Sequence, residues 1–189
     1  MLVKTFDLTN KNVTLTIYIQ DISDEMPNMK IKPGMLVIPG GGYHMCSDRE
    51  AEPVAFEFIA KGYNAFILRY SLNEDSKFPK PLDDAVEALK LIRENAEQWH
   101  TDPNKIACVG FSAGGHLAAA LSTMADEKPN ACVLGYPCTL DSISPILANP
   151  IPSVDVAVSE QTPPTFIVHA SDDGLVPVEH SLKYALALS

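Results

Sequence analysis

The chain is short of positive charge: 14 Lys and Arg stand against 24 Asp and Glu, a net charge of −10 at pH 7. That balance repels phosphate backbones, and no local cluster of Lys and Arg reverses it, so no nucleic-acid partner is expected. Long apolar runs are also lacking. No stretch approaches the length needed to cross a bilayer. The N-terminus, MLVKTFDLTNKNVTLTIYIQ, carries Lys4 and Asp7 early and has no apolar segment of signal-peptide length. The expectation is a cytoplasmic protein with no membrane contact. Cysteine is scarce and unpatterned: Cys46, Cys108, Cys132 and Cys138 form no CxxC pair and no metal-like spacing. Cys108 and Cys132 sit in apolar runs, where a thiol behaves as a small buried hydrophobe, so reduced cysteines are expected. No internal repeat or low-complexity tract is present. What remains is 189 residues, 46% hydrophobic and 20% charged, the composition of one ordinary globular domain spanning 1–189.

Periodicity places the elements. Val13, Leu15, Ile17 and Ile19 alternate with polar residues, the mark of a half-buried strand, and Asn10-Lys11-Asn12 supplies a turn between it and a first strand. From Pro33 the pattern changes. MLVI, NAFILRY, KIACVGF, NACVLGY and PTFIVHA are short, β-rich and apolar throughout, as parallel strands covered on both faces should be. Between them lie three helical stretches: about Ser47 to Lys61, ended by Gly62; Pro81 to about Trp99; and Ala113 to about Ala125. The second carries the stripe Leu82, Val86, Leu89, Ile92, Ala96 and Trp99, with Asp83 and Asp84 at its positive end. Strand–helix alternation predicts an α/β fold: a mostly parallel sheet, helices on both faces and an antiparallel N-terminal edge. Residues 136–164 are the exception, rich in proline and without a sustained period. A long loop of this kind between two sheet strands predicts a cover over a pocket.

Gly110-Phe111-Ser112-Ala113-Gly114 fits G-x-S-x-G, after a strand and at the opening of a helix. A serine hydroxyl is a poor nucleophile and must be held at a fixed point near a base and near amide donors. A sharp strand-to-helix turn does this, and the close approach requires glycine two positions before and two after. A second glycine cluster, Pro39-Gly40-Gly41-Gly42-Tyr43, follows the first parallel strand. Consecutive glycines are entropically costly and fit where bare backbone must approach a ligand. The N–H groups of Gly41, Gly42 and Ala113 are candidate donors to a tetrahedral oxyanion. A phosphate-binding loop is the weaker reading, because the Lys-Ser/Thr of a P-loop is absent.

PGGGY, GFSAGGHLA and HASDDGLVP together resemble the α/β-hydrolase superfamily, in particular its acetyl-esterase and lipase branch, from about Pro33 onward. The resemblance implies a serine carboxylesterase without metal or cofactor, acting on small esters, often acetylated sugars. Its oxyanion loop usually reads His-Gly-Gly-Gly. Here Pro39 replaces the histidine, which removes a bracing side chain and leaves the amide donors. It also implies an acid in the segment after PTFIVHA. Aligning His169 and Val176-Pro177 with H-G-x-x-D-x-x-V-P selects Asp173, with Asp172 as the neighbouring alternative. Acyl and alcohol specificity and oligomeric state stay open.

The superfamily's order of serine, acid, histidine expects the base after a further strand, and the sequence reaches Ser189 first. Of the five histidines, His180 is expected on a helix surface, His169 in support of the acid, His116 in packing and His100 at a helix end. His44, beside the glycine loop, could touch substrate. None stands where the base should. The expectation is a chain lacking its last strand, histidine loop and helix, or a short homologue that binds esters without turning them over. In either case these 189 residues should hydrolyse p-nitrophenyl acetate poorly. Two other enzymatic readings are a prolyl-oligopeptidase-like peptidase and a metal hydrolase built on His169 and Asp172, which has no third ligand nearby.

Overall fold

The computed structural model describes residues 1–189. Seven strands form one sheet in the order β1-β2-β4-β3-β5-β6-β7. They are β1 (Leu2–Asp7), β2 (Thr14–Ile19), β3 (Lys32–Ile38), β4 (Asn64–Arg69), β5 (Thr101–Phe111), β6 (Ala131–Gly135) and β7 (Thr165–Val168). β1 pairs antiparallel with β2, and β2 antiparallel with β4; the other four pairings are parallel. The predicted antiparallel edge is therefore present. The expected turn closes it, with the Val13 N–H bonded to the Asn10 carbonyl at 3.2 Å and Asn12 at φ 62°.

Strand alternation divides the core between two helical layers. Leu36, Ile38, Phe66, Leu68 and Cys108 point to the face covered by α2 (Lys80–Glu94) and α3 (Ser112–Thr123). Met35, Val37, Ala65, Ile67 and Val109 point to the other, where α1 (Glu52–Ala60) packs through Ala55, Val54, Phe58 and Ile59. Gly62 ends that helix as expected, at φ +89°. α4 (Glu179–Leu188) packs on the α2/α3 side through Tyr184. No helix is long and apolar enough to cross a membrane.

Four expectations need correction. Cover on both faces fails at β7: Phe166 and Val168 are 64% and 55% exposed, because they point to the α1 side and α1 lies over β3 and β4, out of their reach. α2 stops at Glu94 rather than near Trp99. The chain then turns through His100 at φ 49°, whose carbonyl takes the Lys32 N–H at 2.9 Å, while Trp99 still buries against Phe6 and Phe66. Asp84 is no surface charge at a helix end: it is fully buried and accepts from the Ser71 N–H at 2.7 Å and Asn10 Nδ2 at 2.6 Å. Residues 136–164 do more than lie over a pocket. Ile151 and Val154 are core residues, while Ile146 and Leu147 line the cleft described below.

Candidate active site

Every group of the site arrives from the carboxyl end of a parallel strand, where open α/β sheets bind their ligands. Phe111 ends β5 in extended backbone, Ser112 follows at φ 51°, and α3 starts at once. A serine in the left-handed region is strained, and such strain persists where the surroundings over-determine it. The flanking glycines do so. A Cβ on Gly110 would lie 2.2 Å from the Gly114 carbonyl oxygen, and one on Gly114 would lie 2.2 Å from that of Ile38. The end of β3 therefore presses directly on the start of α3, which carries the glycine loop to the serine.

That loop is shaped by three consecutive positive φ angles, at Gly41 (130°), Gly42 (65°) and Tyr43 (62°). The Gly41 and Gly42 N–H groups bond to nothing within the protein, while both carbonyls are engaged: Gly41 with the His44 and Met45 N–H groups, Gly42 with the Ala148 N–H. The Ala113 N–H lies in the first turn of α3, where helix amides lack intrahelical acceptors. Gly41, Gly42, Ser112 and Asp173 line one cleft of about 430 Å³, together with Met45, Arg49, Glu50, Tyr136, Cys138, Ile146, Leu147, Leu175 and Val176.

Asp173 Oδ1 accepts the Leu175 N–H at 2.9 Å and the Val176 N–H at 3.0 Å. The Val176 bond, then the Leu175 bond, hold its carboxyl below the ordinary carboxylate value. Oδ2 lies 3.6 Å from His169 Nε2. Asp172 is exposed and does not reach the cleft. The Ser112 hydroxyl has the Cys138 thiol as its polar neighbour, at 3.8 Å. Burial pushes that thiol up to about 11, so it stays protonated and is no rival nucleophile.

No histidine lines the cleft. His169 Nε2 donates to the Val176 carbonyl at 2.9 Å and its Nδ1 accepts from the Ser181 hydroxyl at 2.7 Å, which fastens the acid loop to α4. His116 is fully buried, donating from Nε2 to the Pro152 carbonyl at 3.0 Å and accepting at Nδ1 from the Tyr43 hydroxyl at 2.8 Å. His44, expected as a possible substrate contact, is exposed and is not among the residues that line the cleft, although its ring lies beside Gly42. His180 overturns the expectation of a surface position. It is buried, its Nδ1 accepts the Leu140 N–H at 3.0 Å and its carbonyl accepts the Thr139 hydroxyl at 2.6 Å, so it ties residues 139–140 to α4. No group of three His, Cys, Asp or Glu side chains is placed to hold a metal ion.

The two buried imidazoles carry a pH signature. Burial pulls His116 down to about 4 and moves His180 in the same direction. Both are neutral in the folded protein and titrate near 6.5 when unfolded. As pH falls below about 6.5 the unfolded chain takes up protons that the folded chain refuses, so stability drops until the folded value is passed. For His116 the loss amounts to about 3 kcal/mol at most. The fall in Tm between pH 7 and 4.5 should be smaller in His116→Asn than in the parent; equal falls would contradict the assignment.

The family model that matches the sequence, over residues 20–136, is BD-FAE. The chain belongs to the BD-FAE family. Similar sequences include endo-1,4-β-xylanase B of Butyrivibrio fibrisolvens, 36% identical over 82% of this chain and 29% of that protein. Another is the acetylxylan esterase of Xylanibacter ruminicola, 32% identical over 80% of this chain and 36% of that one. The chain spans about a third of the length of these curated relatives. Among solved structures it is similar to MGS-M1, an α/β-hydrolase enzyme from a Medee basin deep-sea metagenome library. The TM-score is 0.93 at 48% identity, covering 100% of this chain and 76% of that one. An acetyl ester-xyloside bifunctional hydrolase from Caldicellulosiruptor lactoaceticus follows with a TM-score of 0.82 at 37% identity, over 97% and 75%. The fold is that of an α/β hydrolase, and the four proteins named above are hydrolases or esterases.

Within this BD-FAE frame, Glu50, Tyr136 and Cys138 are the site residues that the sequence reading missed. Tyr136 and Cys138 had a usable signal, since both lie within three residues of the carboxyl end of a parallel strand. Glu50 had none: it is one acid among several in SDREAE, and only the fold turns it toward the glycine loop.

Proposed function

We propose that this chain carries the nucleophile, oxyanion site and acid of a serine carboxylesterase for short-chain esters, with acetylated sugars as the favoured class. The single observation behind this reading is a strained serine that shares one small cleft with two unengaged backbone N–H groups and a carboxylate. Ser112 Oγ attacks the ester carbonyl carbon while a base removes its proton. The carbonyl oxygen becomes an oxyanion received by the Gly41, Gly42 and Ala113 N–H groups, each good donor being worth roughly 3–4 kcal/mol in such sites. Collapse breaks the ester C–O bond and the base returns the proton to the departing alcohol. Water then attacks the acyl-serine by the same route and releases the acid.

Asp173 would orient and stabilise the base. None of the five histidines lines the cleft, and no base is assigned among them. The Tyr136 hydroxyl is committed to Glu50 at 2.7 Å, which argues against the tyrosine-donor arrangement of the peptidase reading. A cleft of about 430 Å³ with Ile146, Leu147 and Leu175 on its walls suits a small acyl group. An acetylxylan esterase and an acetyl ester-xyloside hydrolase among the relatives support the same substrate class. A fluorophosphonate probe should add one phosphonyl group to the peptide containing Ser112 in the protein as the cell makes it. Labelling elsewhere, or none, would remove the nucleophile from this assignment.

A further inference from the structure

Amides that receive an oxyanion must already point at it, yet three glycines in a row give a backbone that is costly to hold in one conformation. The downstream half of this loop is fastened by the Asn73 N–H on the Tyr43 carbonyl at 2.8 Å and the Ala148 N–H on the Gly42 carbonyl at 2.9 Å. Upstream, the Tyr70 hydroxyl holds the Pro39 carbonyl at 2.6 Å and the Ser47 N–H holds the Gly40 carbonyl at 2.8 Å. The remaining upstream donor, the Gly40 N–H, goes to Glu50 Oε2 at 2.6 Å. Position 39 is proline and offers no polar side chain for this purpose.

We propose that Glu50 is the positioning residue of the oxyanion loop, tying it to Tyr136 so that the Gly41 and Gly42 N–H groups stay aimed at the carbonyl oxygen of the ester that Ser112 attacks. This rests on the esterase reading above. Its other oxygen, Oε1, accepts the Tyr136 hydroxyl at 2.7 Å. Tyr136 stands at φ 36° on the loop after β6, and two residues on, the Cys138 N–H bonds the Ser112 carbonyl at 3.0 Å. One carboxylate thus joins the loops on either side of the nucleophile. It sits at their seam: a Cβ on Gly40 would lie 2.8 Å from Glu50 Oε2 and 3.0 Å from Ser112 Cβ. Both partners are donors, the pairing an ionised carboxylate satisfies by accepting twice, and charge-assisted bonds of this kind are the stronger sort.

Alignment of amides acts on the transition state more than on the bound ester, so its loss lowers kcat and leaves KM nearly unchanged. In the protein as the cell makes it, Glu50→Ala should lose about 100-fold in kcat, the scale of one oxyanion donor, with KM within about threefold. Glu50→Gln keeps the shape, accepting from Gly40 and donating to the Tyr136 oxygen, and should stay within about tenfold of the parent; Tyr136→Phe should fall between. Amide exchange followed by NMR gives a readout independent of turnover: exchange at Gly40 should accelerate by about tenfold or more in Glu50→Ala, with the core amides unchanged. Unchanged kcat, or a lower kcat with unchanged Gly40 exchange, would overturn the proposal. If Glu50→Ala does not fold, Tyr136→Phe decides, because full activity and parental exchange there would overturn the tie. If the parent shows no Ser112-dependent turnover, the esterase reading fails, and the exchange comparison still decides what Glu50 holds.

Discussion

Ser112→Ala, in the protein as the cell makes it, is expected to lower kcat by about 10⁵-fold or more, the scale seen when a catalytic serine that acts as one unit with its base is removed. Folding should hardly change, since the hydroxyl's polar contact is a 3.8 Å approach to the Cys138 thiol. The companion variant Ser112→Gly makes the argument sharper. At φ 51° the native residue carries left-handed strain of about 1–2 kcal/mol. Glycine adopts that conformation freely but adds disorder to the unfolded chain, about 0.5–1 kcal/mol. Ser112→Gly should therefore be equally inactive and at least as stable as the parent, by up to about 1 kcal/mol, or a few degrees in Tm. Inactivity with a raised Tm would place the strain at the nucleophile. A clear loss of stability would show that the elbow relaxes in solution.

The second large effect separates two adjacent carboxylates. Asp173→Asn should cost about 10⁴-fold in kcat, because a neutral amide no longer stabilises the positive charge that the base takes on with the Ser112 proton. Asp172→Asn should stay within about threefold, the ordinary range for an exposed polar change away from the site. Two backbone N–H groups hold one oxygen of Asp173, which lines the cleft, whereas Asp172 is exposed to solvent and does not line it. Steady-state kinetics of the two variants on an acetyl ester decide the register. Equal losses, or the larger loss at Asp172, would move the acid by one residue.

The residues themselves explain how far the reading reached. Strands β2 to β6 were legible because apolar alternation and short β-rich runs are local signals. The elbow was legible because its steric demand falls on the glycines two before and two after the serine. Asp84, His180 and Glu50 were not legible, and for one reason. Each is polar, lies where a surface residue would be expected, and is covered or engaged by a segment distant in sequence: Asn10 and Ser71 for Asp84, Thr139 and Leu140 for His180, Gly40 and Tyr136 for Glu50. Burial of a polar group depends on the donors that meet it, and those donors are set by how the layers close.

Taken alone, the amino-acid order determined the alternation of strand and helix, the bend at Ser112 and the bare amides after β3, because each follows from forces among neighbouring residues. Tertiary structure decided which groups share the cleft, which acid of the Asp172–Asp173 pair reaches it, and that β7 leaves Phe166 and Val168 uncovered. Those outcomes depend on where α1 stops along the sheet and on how residues 136–164 fold back against Gly42 and His180. Contacts between segments so far apart leave no periodic trace in the chain that makes them.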